Sequence, residues 1–297
     1  MRVNEEVPEC VSSCGKRSQY LYTNHAFREK LEKPILKSKN PDAVSQLRRL
    51  VQPFLLRRLK KDVLKELPPK EEYVRKISLS EDKQKLYYAC VQAAVADLGD
   101  EQGKLQILAA LTRLRQVCCD PGLCFENYEG STSKLDACVE LCEAMVENGH
   151  QILLFSQFTS MLDRLRARLD ALHISNYTLQ GSTPKEKRAS MVKAFNAGEA
   201  SVFLISLKAG GTGLNLTAAD IVIHFDPWWN QATQNQATDR AHRIGQQAHV
   251  QVYKLIAKDT IEEKILELQE KKAALLDTIS GGEEAGILNM SSEELLS

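Results

Sequence analysis

Residues 202–216 read Val-Phe-Leu-Ile-Ser-Leu-Lys-Ala-Gly-Gly-Thr-Gly-Leu-Asn-Leu, and this stretch decides the fold class. Its first four residues are apolar, as expected of a strand that is buried on both faces. Three glycines in four positions then allow positive φ angles and a close approach of the backbone to another surface. Exposed N–H groups in such a loop suit phosphate oxygens. Taken alone, the loop could equally be a tight connection between two elements, so the surrounding sequence has to decide.

Short apolar runs alternate with amphipathic stretches on both sides of this loop. This alternation predicts right-handed βαβ units and a parallel sheet, in which ligands bind at the carboxyl ends of the strands. The helix at 184 should begin with Thr183 as its N-cap, Pro184 in the first turn and Glu186 three residues after the cap. The predicted fold class is therefore α/β, a parallel sheet flanked by helices. We expect strands near residues 151–155, 175–179, 202–206, 221–225 and 250–256, and helices near 158–172, 184–196 and 230–243.

The sequence before and after this region has mostly helical patterns. Residues from Phe27 to about Leu67 have helical spacing and are basic, and Pro68-Pro69 ends that segment. Residues Glu72 to Leu79 alternate as a strand does. A last helix should run from about Thr260 to Ile279, which gives the sheet a helical extension at both ends. Three further helices are expected near residues 81–97, 104–117 and 134–148.

The charges cancel in total but are unevenly distributed. Residues 28–76 carry 15 Lys or Arg against 7 Asp or Glu, whereas residues 259–297 carry 3 against 10. A basic arm suggests a polyanion partner, although two solvated helical faces would give the same counts. No apolar run approaches the roughly 18 residues of a membrane span. With no hydrophobic signal core either, we expect a soluble intracellular protein without a membrane partner.

A second motif, Gln236-Ala-Thr-Asp-Arg-Ala-His-Arg-Ile-Gly-Gln246, carries two arginines. On a helix, Gln236, Arg240 and Arg243 would share one face at positions i, i+4 and i+7. Arginine keeps its charge and offers planar, bidentate donors, so this face suits a polyphosphate. A structural stripe of ion pairs is the alternative interpretation.

Two further motifs also follow predicted strands. Asp226-Pro-Trp-Trp-Asn230 contains both tryptophans of the chain, and packing beneath the loop explains them as well as a ligand contact does. Gln180-Gly-Ser-Thr183 leads into a helix whose free N–H groups could bind phosphate. Each of these signals is weak alone.

Several kinds of site have no matching pattern. A P-loop needs G-x-x-x-x-G-K-[ST], and neither Gly15-Lys16 nor Gly103-Lys104 lies in that context. We find no dinucleotide fingerprint, no pairing of nucleophile and base, and no set of metal ligands with the usual spacing, so no metal site is predicted. The eight cysteines favour reduced thiols over a four-ligand site, which would use Cys118, Cys124, Cys138 and Cys142.

Taken in order, the motifs resemble helicase motifs IV, IVa, V and VI. The combination looks like the Swi/Snf-type family of superfamily-two DNA-translocating ATPases, specifically the C-terminal RecA-like lobe. Gln52-Pro-Phe-Leu-Leu-Arg-Arg-Leu-Lys-Lys-Asp62 also resembles the helical segment between the two lobes of that family. The resemblance divides the chain into unmatched residues 1–19, a basic inter-lobe segment 20–70, the RecA-like lobe 71–258, and a brace helix with an acidic tail, 259–297. The motifs that carry it are 151–158, 180–183, 206–216, 226–230 and 236–246.

The resemblance implies that two lobes enclose ATP and Mg²⁺, which are bound mainly by a first lobe that this sequence lacks. Arg240 and Arg243 would act as arginine fingers, with Gln236 positioning. The implied partners are the backbone of double-stranded DNA and the first lobe. Residues Gly211, Thr212, Gly213 and Asn215 would couple nucleotide to DNA. The implied DNA contacts are Ser156, Gln157, Gln180, Gly181, Ser182, Ser206 and Lys208.

These implications predict a motor lobe that is inactive as an ATPase on its own. The alternative is a non-enzymatic lobe that binds DNA or a partner ATPase. An RNA helicase of the same superfamily is disfavoured by the Arg-Ala-His-Arg-Ile-Gly-Gln ending and by the Trp-Trp turn. Without a dense basic targeting cluster, a bacterial cytoplasmic protein is favoured, and a eukaryotic one would be nuclear.

Overall fold

The computed structural model describes residues 27–38, 40–51, 68–97, 104–128, 130, 132–207, 209, 214–243 and 245–280. The chain divides into two compact units. One consists of Glu66–Leu266, and the other combines Met1–Lys65 with Glu267–Ser297. The predicted inter-lobe motif Gln52–Asp62, residues 1–19 and the acidic residues after Ser280 lie outside the described part of the chain.

A parallel sheet of six strands is the centre of the larger unit, with the order β1-β6-β5-β2-β4-β3. Helices connect most of the consecutive strands, as parallel pairing requires. The strands are β1 (Lys70–Ile77), β2 (Ile152–Ser156), β3 (Asn176–Leu179), β4 (Val202–Ser206), β5 (Ile221–His224) and β6 (Val250–Ala257). The helices of this unit are α3 (Glu81–Asp97), α4 (Lys104–Cys119), α5 (Ser133–Glu147), α6 (Thr159–Ala171), α7 (Lys185–Asn196), α8 (Gln231–Thr238) and the start of α9 (Ile261–Ser280).

Every residue of the three central strands β2, β4 and β5 is buried. This explains why their sequences are continuous apolar runs rather than alternating ones, since both faces of a parallel sheet are covered. Alternate residues enter two different core clusters. One cluster contains Ile152, Leu154, Leu204 and Ile223 with residues of α5 and α6, and the other contains Leu153, Phe155, Phe203 and Val222 with residues of α7.

The predicted fold class is confirmed, and all the expected strands are present to within two residues of their predicted ends. The start of α7 differs from the prediction. Pro184 has extended dihedral angles (φ −59°, ψ 148°), so the helix begins at Lys185 and Pro184 occupies the N-cap position. The Thr183 hydroxyl caps nothing. It accepts a hydrogen bond from Gln180 N at 3.0 Å and so closes the turn before the helix.

The described residues of the smaller unit include two short helices after a π-helical turn, Arg28–Glu32. They are α1 (Lys33–Ser38) and α2 (Pro41–Val51). Leu31, Ile35, Ala43 and Leu47 form its buried cluster. The predicted helical spacing is therefore present in the described part of the basic segment. Residues of α9 from Glu267 onwards also belong to this unit.

Within the described ranges, no helix combines the length and the apolar character that crossing a bilayer requires. The same residues contain no group of three or more His, Cys, Asp or Glu side chains arranged to hold a metal ion. Cys118, Cys119, Cys138 and Cys142 are buried free thiols. Burial raises the pKa of Cys118 to about 12, so this thiol is protonated and unreactive at neutral pH.

Candidate functional site

The carboxyl edge of the sheet brings the sequence motifs together. All six strands are parallel, so the segments that follow β2, β3, β4 and β5 leave the sheet at the same edge. These segments are 156–158, 180–183, 207–216 and 226–230, and they are the predicted motifs. This edge is where ligands bind in open α/β sheets. Among the predicted site residues, Lys208, Gly211, Thr212 and Gly213 lie outside the described part of the chain.

The two arginines of the second motif do not lie on a helix, which corrects the premise of a shared helical face with Gln236. Helix α8 ends at Thr238, and residues 239–243 form a series of turns that we call the arginine turn. The N–H groups of Arg240 and Ala241 reach back only three residues, to Ala237 O and Thr238 O at 3.2 and 3.0 Å. The carbonyl of Arg240 accepts a hydrogen bond from Leu216 N at 3.1 Å. That hydrogen bond joins the arginine turn to the end of the glycine-rich loop.

The arginine turn gives its two guanidinium groups different environments. Arg240 is only 8% exposed, and its guanidinium carbon lies 5.6 Å from the centroid of the Phe155 ring. Burial lowers the pKa of Arg240 to about 10, so the side chain remains charged at neutral pH. Arg243 is exposed, and so is Gln236 on α8. The turn thus presents one exposed cation to solvent beside one held against the sheet.

Two side chains that were not predicted as site residues anchor the arginine turn. The Nε2 atom of His242 lies 2.8 Å from Pro68 O, and since a carbonyl only accepts, Nε2 is the donor. Buried Gln246 donates from Nε2 to Ala219 O at 2.8 Å and to Ala241 O at 3.2 Å. Both residues lie within the quoted motif, so the motif itself was the signal that could have identified them. They fix the backbone that carries the arginines.

Arg188, on the first turn of α7, organises the turn at residues 180–183. Its guanidinium donates to Thr183 O at 2.8 Å and to Gly181 O at 2.9 Å, with longer bonds of 3.4 Å to Gln180 O and Ala209 O. One side chain therefore joins the segments after β3 and β4. A basic residue near a helix N-terminus is unfavourable for the helix dipole. Lys185 and Lys187 share this position at the helix start, so the sequence does not single out Arg188.

The predicted contacts in the turn that Arg188 holds are open to solvent. Gly181 and Ser182 are exposed, and a Cβ added at Gly181 would meet no atom within 4 Å. Gln180 is half-buried and donates from Nε2 to Asp163 at 3.3 Å. Asn215 is exposed, and its carbonyl accepts a hydrogen bond from Asn196 Nδ2 at 2.9 Å. The side chains of Ser182 and Gln180 can reach a phosphate without unfolding the turn.

Two of the predicted DNA contacts have buried side chains. Ser156 donates from Oγ to Asp226 Oδ1 at 2.6 Å, and the same Oγ accepts from Phe158 N at 3.2 Å. Ser206 is also buried. The enclosed Ser156 hydroxyl holds its own loop, and both hydroxyls would have to become accessible to contact a phosphate, so the two DNA contacts stay predictions. Gln157, between Ser156 and Phe158, is half-buried with its Nε2 atom enclosed, and it stays a predicted contact through the part of the residue that is exposed.

Buried charges beneath this edge were not predicted. Lys134 is fully buried and contacts both carboxylate oxygens of Glu262, at 2.7 and 2.5 Å. Lys83, also fully buried, donates to the carbonyls of Cys118 and Cys119 at 2.9 and 3.2 Å. Arg115 is 3% exposed beside Asp226. Nothing in the spacing of these residues distinguishes them from surface charges, because their partners are distant in sequence.

Family models match two parts of the chain. The helicase conserved C-terminal domain matches residues 133–245, and the SNF2-related domain matches residues 17–123. The putative ATP-dependent helicase/translocase YwqA of Bacillus subtilis is 39% identical over 287 residues, which cover 93% of this chain and 31% of that protein. The chain spans less than a third of the length of the curated relatives that it matches first.

Solved structures give the same result. The C-terminal domain of the SWI2/SNF2 ATPase of Sulfolobus solfataricus superposes with a TM-score of 0.59 and 30% identity, covering 76% of this chain and 96% of that domain. The ATPase core from the same organism, solved in complex with double-stranded DNA, superposes with a TM-score of 0.62 and 32% identity. That match covers 92% of this chain and 59% of the core. The chain therefore belongs to the Swi/Snf-type family of superfamily-two helicase-like ATPases, as the sequence motifs predicted.

Proposed function

We propose that this chain supplies the second RecA-like lobe of an ATP-driven motor that translocates on double-stranded DNA. The observation that carries the proposal is the arginine turn at the carboxyl edge of the sheet, bonded to the glycine-rich loop through Leu216 N and Arg240 O. This bond links the segment expected to sense DNA to the segment expected to contact nucleotide. The relatives named above, ATP-dependent helicases and a core solved with double-stranded DNA, support the proposal.

The donor set of the arginine turn fits a nucleotide triphosphate. When bound with Mg²⁺, ATP would supply the γ-phosphoryl group whose charge increases at the transition state. Arg243, exposed, can donate a planar pair of N–H groups to its oxygens, and Gln236 can orient it. Arg240, held over Phe155, adds positive charge from within the lobe. Such charges act most strongly where water is excluded, between two closed lobes.

The DNA contacts of this lobe would be to the backbone. Ser182, Gly181 and Gln180 line a turn whose carbonyls are bound by Arg188, and Gln157 borders the neighbouring loop. The Arg188 guanidinium contacts carbonyl oxygens, and it forms no ion pair within 4.0 Å among the described residues. Its positive charge therefore remains available to attract a phosphate nearby. Phosphate contacts of this kind bind any sequence.

A reconstitution experiment tests the proposal. The chain should be joined to the first lobe of a Swi/Snf-type relative, and ATP turnover measured with and without duplex DNA. We expect no turnover above background from the chain alone, because the sequence has no P-loop to hold the phosphates. We expect turnover in the joined protein, stimulated by duplex DNA. Steady turnover from the chain alone that disappears in Arg243→Ala would contradict the expected division of labour between the lobes.

A further inference from the structure

Arg115 lies on α4, at a buried position where neighbouring groups have to compensate its charge. It is 3% exposed, and its Nη2 atom donates to the carbonyl of Pro227. The guanidinium carbon also lies 5.8, 5.7 and 5.5 Å from the ring centroids of Phe158, Trp228 and Trp229. Charged side chains are rarely buried unless they are paired. Arg115 is therefore enclosed by the segments that follow two different strands, β2 and β5.

Asp226 connects Arg115 to the loop after β2. Its Oδ1 atom accepts hydrogen bonds from Ser156 Oγ at 2.6 Å and from Gln157 N at 3.3 Å. Its Oδ2 atom lies 3.7 Å from Arg115 Nη2, a charge contact longer than a hydrogen bond. We call Arg115, Asp226 and Ser156, with the rings of Phe158, Trp228 and Trp229, the Arg115 cluster.

The chain that leaves this cluster runs directly to the arginine turn. Asn230 follows the two tryptophans and caps α8 by accepting a hydrogen bond from Thr233 N at 3.0 Å. The Gln234 side chain accepts a bond from Trp228 N at 3.4 Å, which ties the helix to the tryptophan segment. Helix α8 has only eight residues and ends where the arginine turn begins. A shift of the tryptophans therefore moves a short, capped helix and the turn attached to its end.

We propose that Arg115 is a positioning residue that makes the loop after β2 and the Trp228–Trp229 segment move together, so that duplex DNA on the loop is sensed at the arginine turn. The inference rests on the proposed function, because it takes Gln157 and its neighbours as a DNA contact. Arg115 itself is enclosed and contacts neither DNA nor nucleotide. Its role is to transmit a displacement between two loops that contact each other across adjacent strands, where Phe225 N donates to Phe155 O at 2.9 Å.

Trp228 and Trp229 are the only tryptophans in the sequence, so emission excited selectively from tryptophan, and not from the eight tyrosines, reports on this cluster. The full chain should be titrated with a short mixed-sequence duplex. Anisotropy of a labelled duplex gives binding, and tryptophan emission with the unlabelled duplex gives the response. For the natural sequence we expect a saturable change in emission with the same midpoint as binding. In Arg115→Lys the amplitude at saturation, relative to the emission of the free variant, should fall by about half or more.

A second variant guards against loss of folding. Ser156→Ala removes one hydroxyl and should also reduce the amplitude, whereas Ser175→Ala, a serine at the opposite edge of the sheet, should not. A purely structural role for Arg115 would change the emission of the free protein but leave the relative response to DNA intact, and that result would overturn the inference. Binding without any tryptophan response would also overturn it while leaving the proposed function standing. Absence of duplex binding in the anisotropy assay would refute the proposed function and the inference with it.

Discussion

Burial separates the two arginines that the motif presents as equivalent. Arg240 lies over Phe155 and has lost most of its water, whereas Arg243 remains exposed. An exposed guanidinium can reach across a cleft to a phosphate on another lobe, but a buried one acts mainly through its charge at fixed distance. We therefore expect Arg243 to make the larger contribution to transition-state stabilisation and Arg240 to make the larger contribution to the geometry of the turn.

His224, at the end of β5, is a buried residue whose protonation state should make stability depend on pH. Its ring stacks on Phe155 with 5.5 Å between centroids, and Nε2 lies 2.9 Å from Thr238 Oγ1. Burial lowers the pKa of His224 to about 3. In the unfolded chain His224 binds a proton near pH 6.5, whereas in the folded chain it does so only near pH 3. The contribution of neutral His224 to stability is therefore fully present above about pH 6.5 and is lost as the pH falls from there towards 3.

Proton uptake by His224 in the unfolded chain should lower the free energy of unfolding by about 2 kcal/mol between about pH 6.5 and pH 5. Urea denaturation at the two pH values measures it. His224→Gln, which cannot be protonated, should lose correspondingly less stability on acidification than the natural chain. His249→Gln removes an exposed histidine and serves as the matched control. Equal losses in the natural chain and in His224→Gln would contradict the assignment.

At the scale of elements, Arg188 connects helix α7 to two loops that end different strands. A lysine at this position would keep the charge but would lose the planar fork whose separate nitrogens reach carbonyls of both loops. Arg188→Lys should therefore loosen the turn at residues 180–183, and duplex affinity should fall about tenfold because binding must then order the turn. The thermal midpoint should change little, since the residue is only half-buried. Fluorescence anisotropy measures the affinity. Arg168→Lys, in the last turn of α6 and away from the loops at the carboxyl edge, is the control. An unchanged affinity would show that the turn needs no such support.

The elements themselves were largely predictable, and the reasons differ for each. The strands β2, β4 and β5 are continuous apolar runs because both faces are covered, and such runs are visible in the sequence. The end of α8 was not visible in the sequence, because the turn that follows it bonds to distant residues, such as Leu216 N to the Arg240 carbonyl across 24 residues. The N-cap of α7 was misplaced by one residue because Pro184 adopts extended rather than helical angles.

The location of the candidate site could be predicted from the sequence, but the buried contacts that hold its loops could not. The motifs identified the loops at the carboxyl edge, since parallel strands place their ends together. Ser156 was predicted to contact DNA because it belongs to a motif with that expected role. Whether its hydroxyl faces solvent depends on Asp226, 70 residues away. The buried pair of Lys134 and Glu262 is separated by 128 residues. Long-range pairing of charges leaves no local periodicity, so sequence patterns cannot reveal it.

At the scale of the whole molecule, the net charge of zero makes local phosphate contacts decisive for binding DNA. We expect binding that is independent of sequence and falls about 40-fold between about 50 and 200 mM salt, as for about three phosphates neutralised. Anisotropy titrations with two unrelated duplexes at several salt concentrations measure both properties. Lys208→Ala should reduce the salt slope by about one, and Lys193→Ala, on the last turn of α7, should not. A preference for one duplex, or an affinity indifferent to salt, would count against backbone recognition.

The central claim is that this lobe supplies an arginine finger, and the turnover number of the joined two-lobe protein tests it most directly. An arginine finger acts on charge that develops only in the transition state, so its loss lowers kcat and spares ground-state binding. In Arg243→Lys, which keeps the charge but loses the planar fork, kcat should fall at least about 100-fold. Duplex affinity and melting temperature should stay close to those of the unsubstituted protein, and Arg168→Lys should change none of these values. Undiminished kcat in Arg243→Lys, and again in Arg243→Ala and Arg240→Ala, would contradict the account.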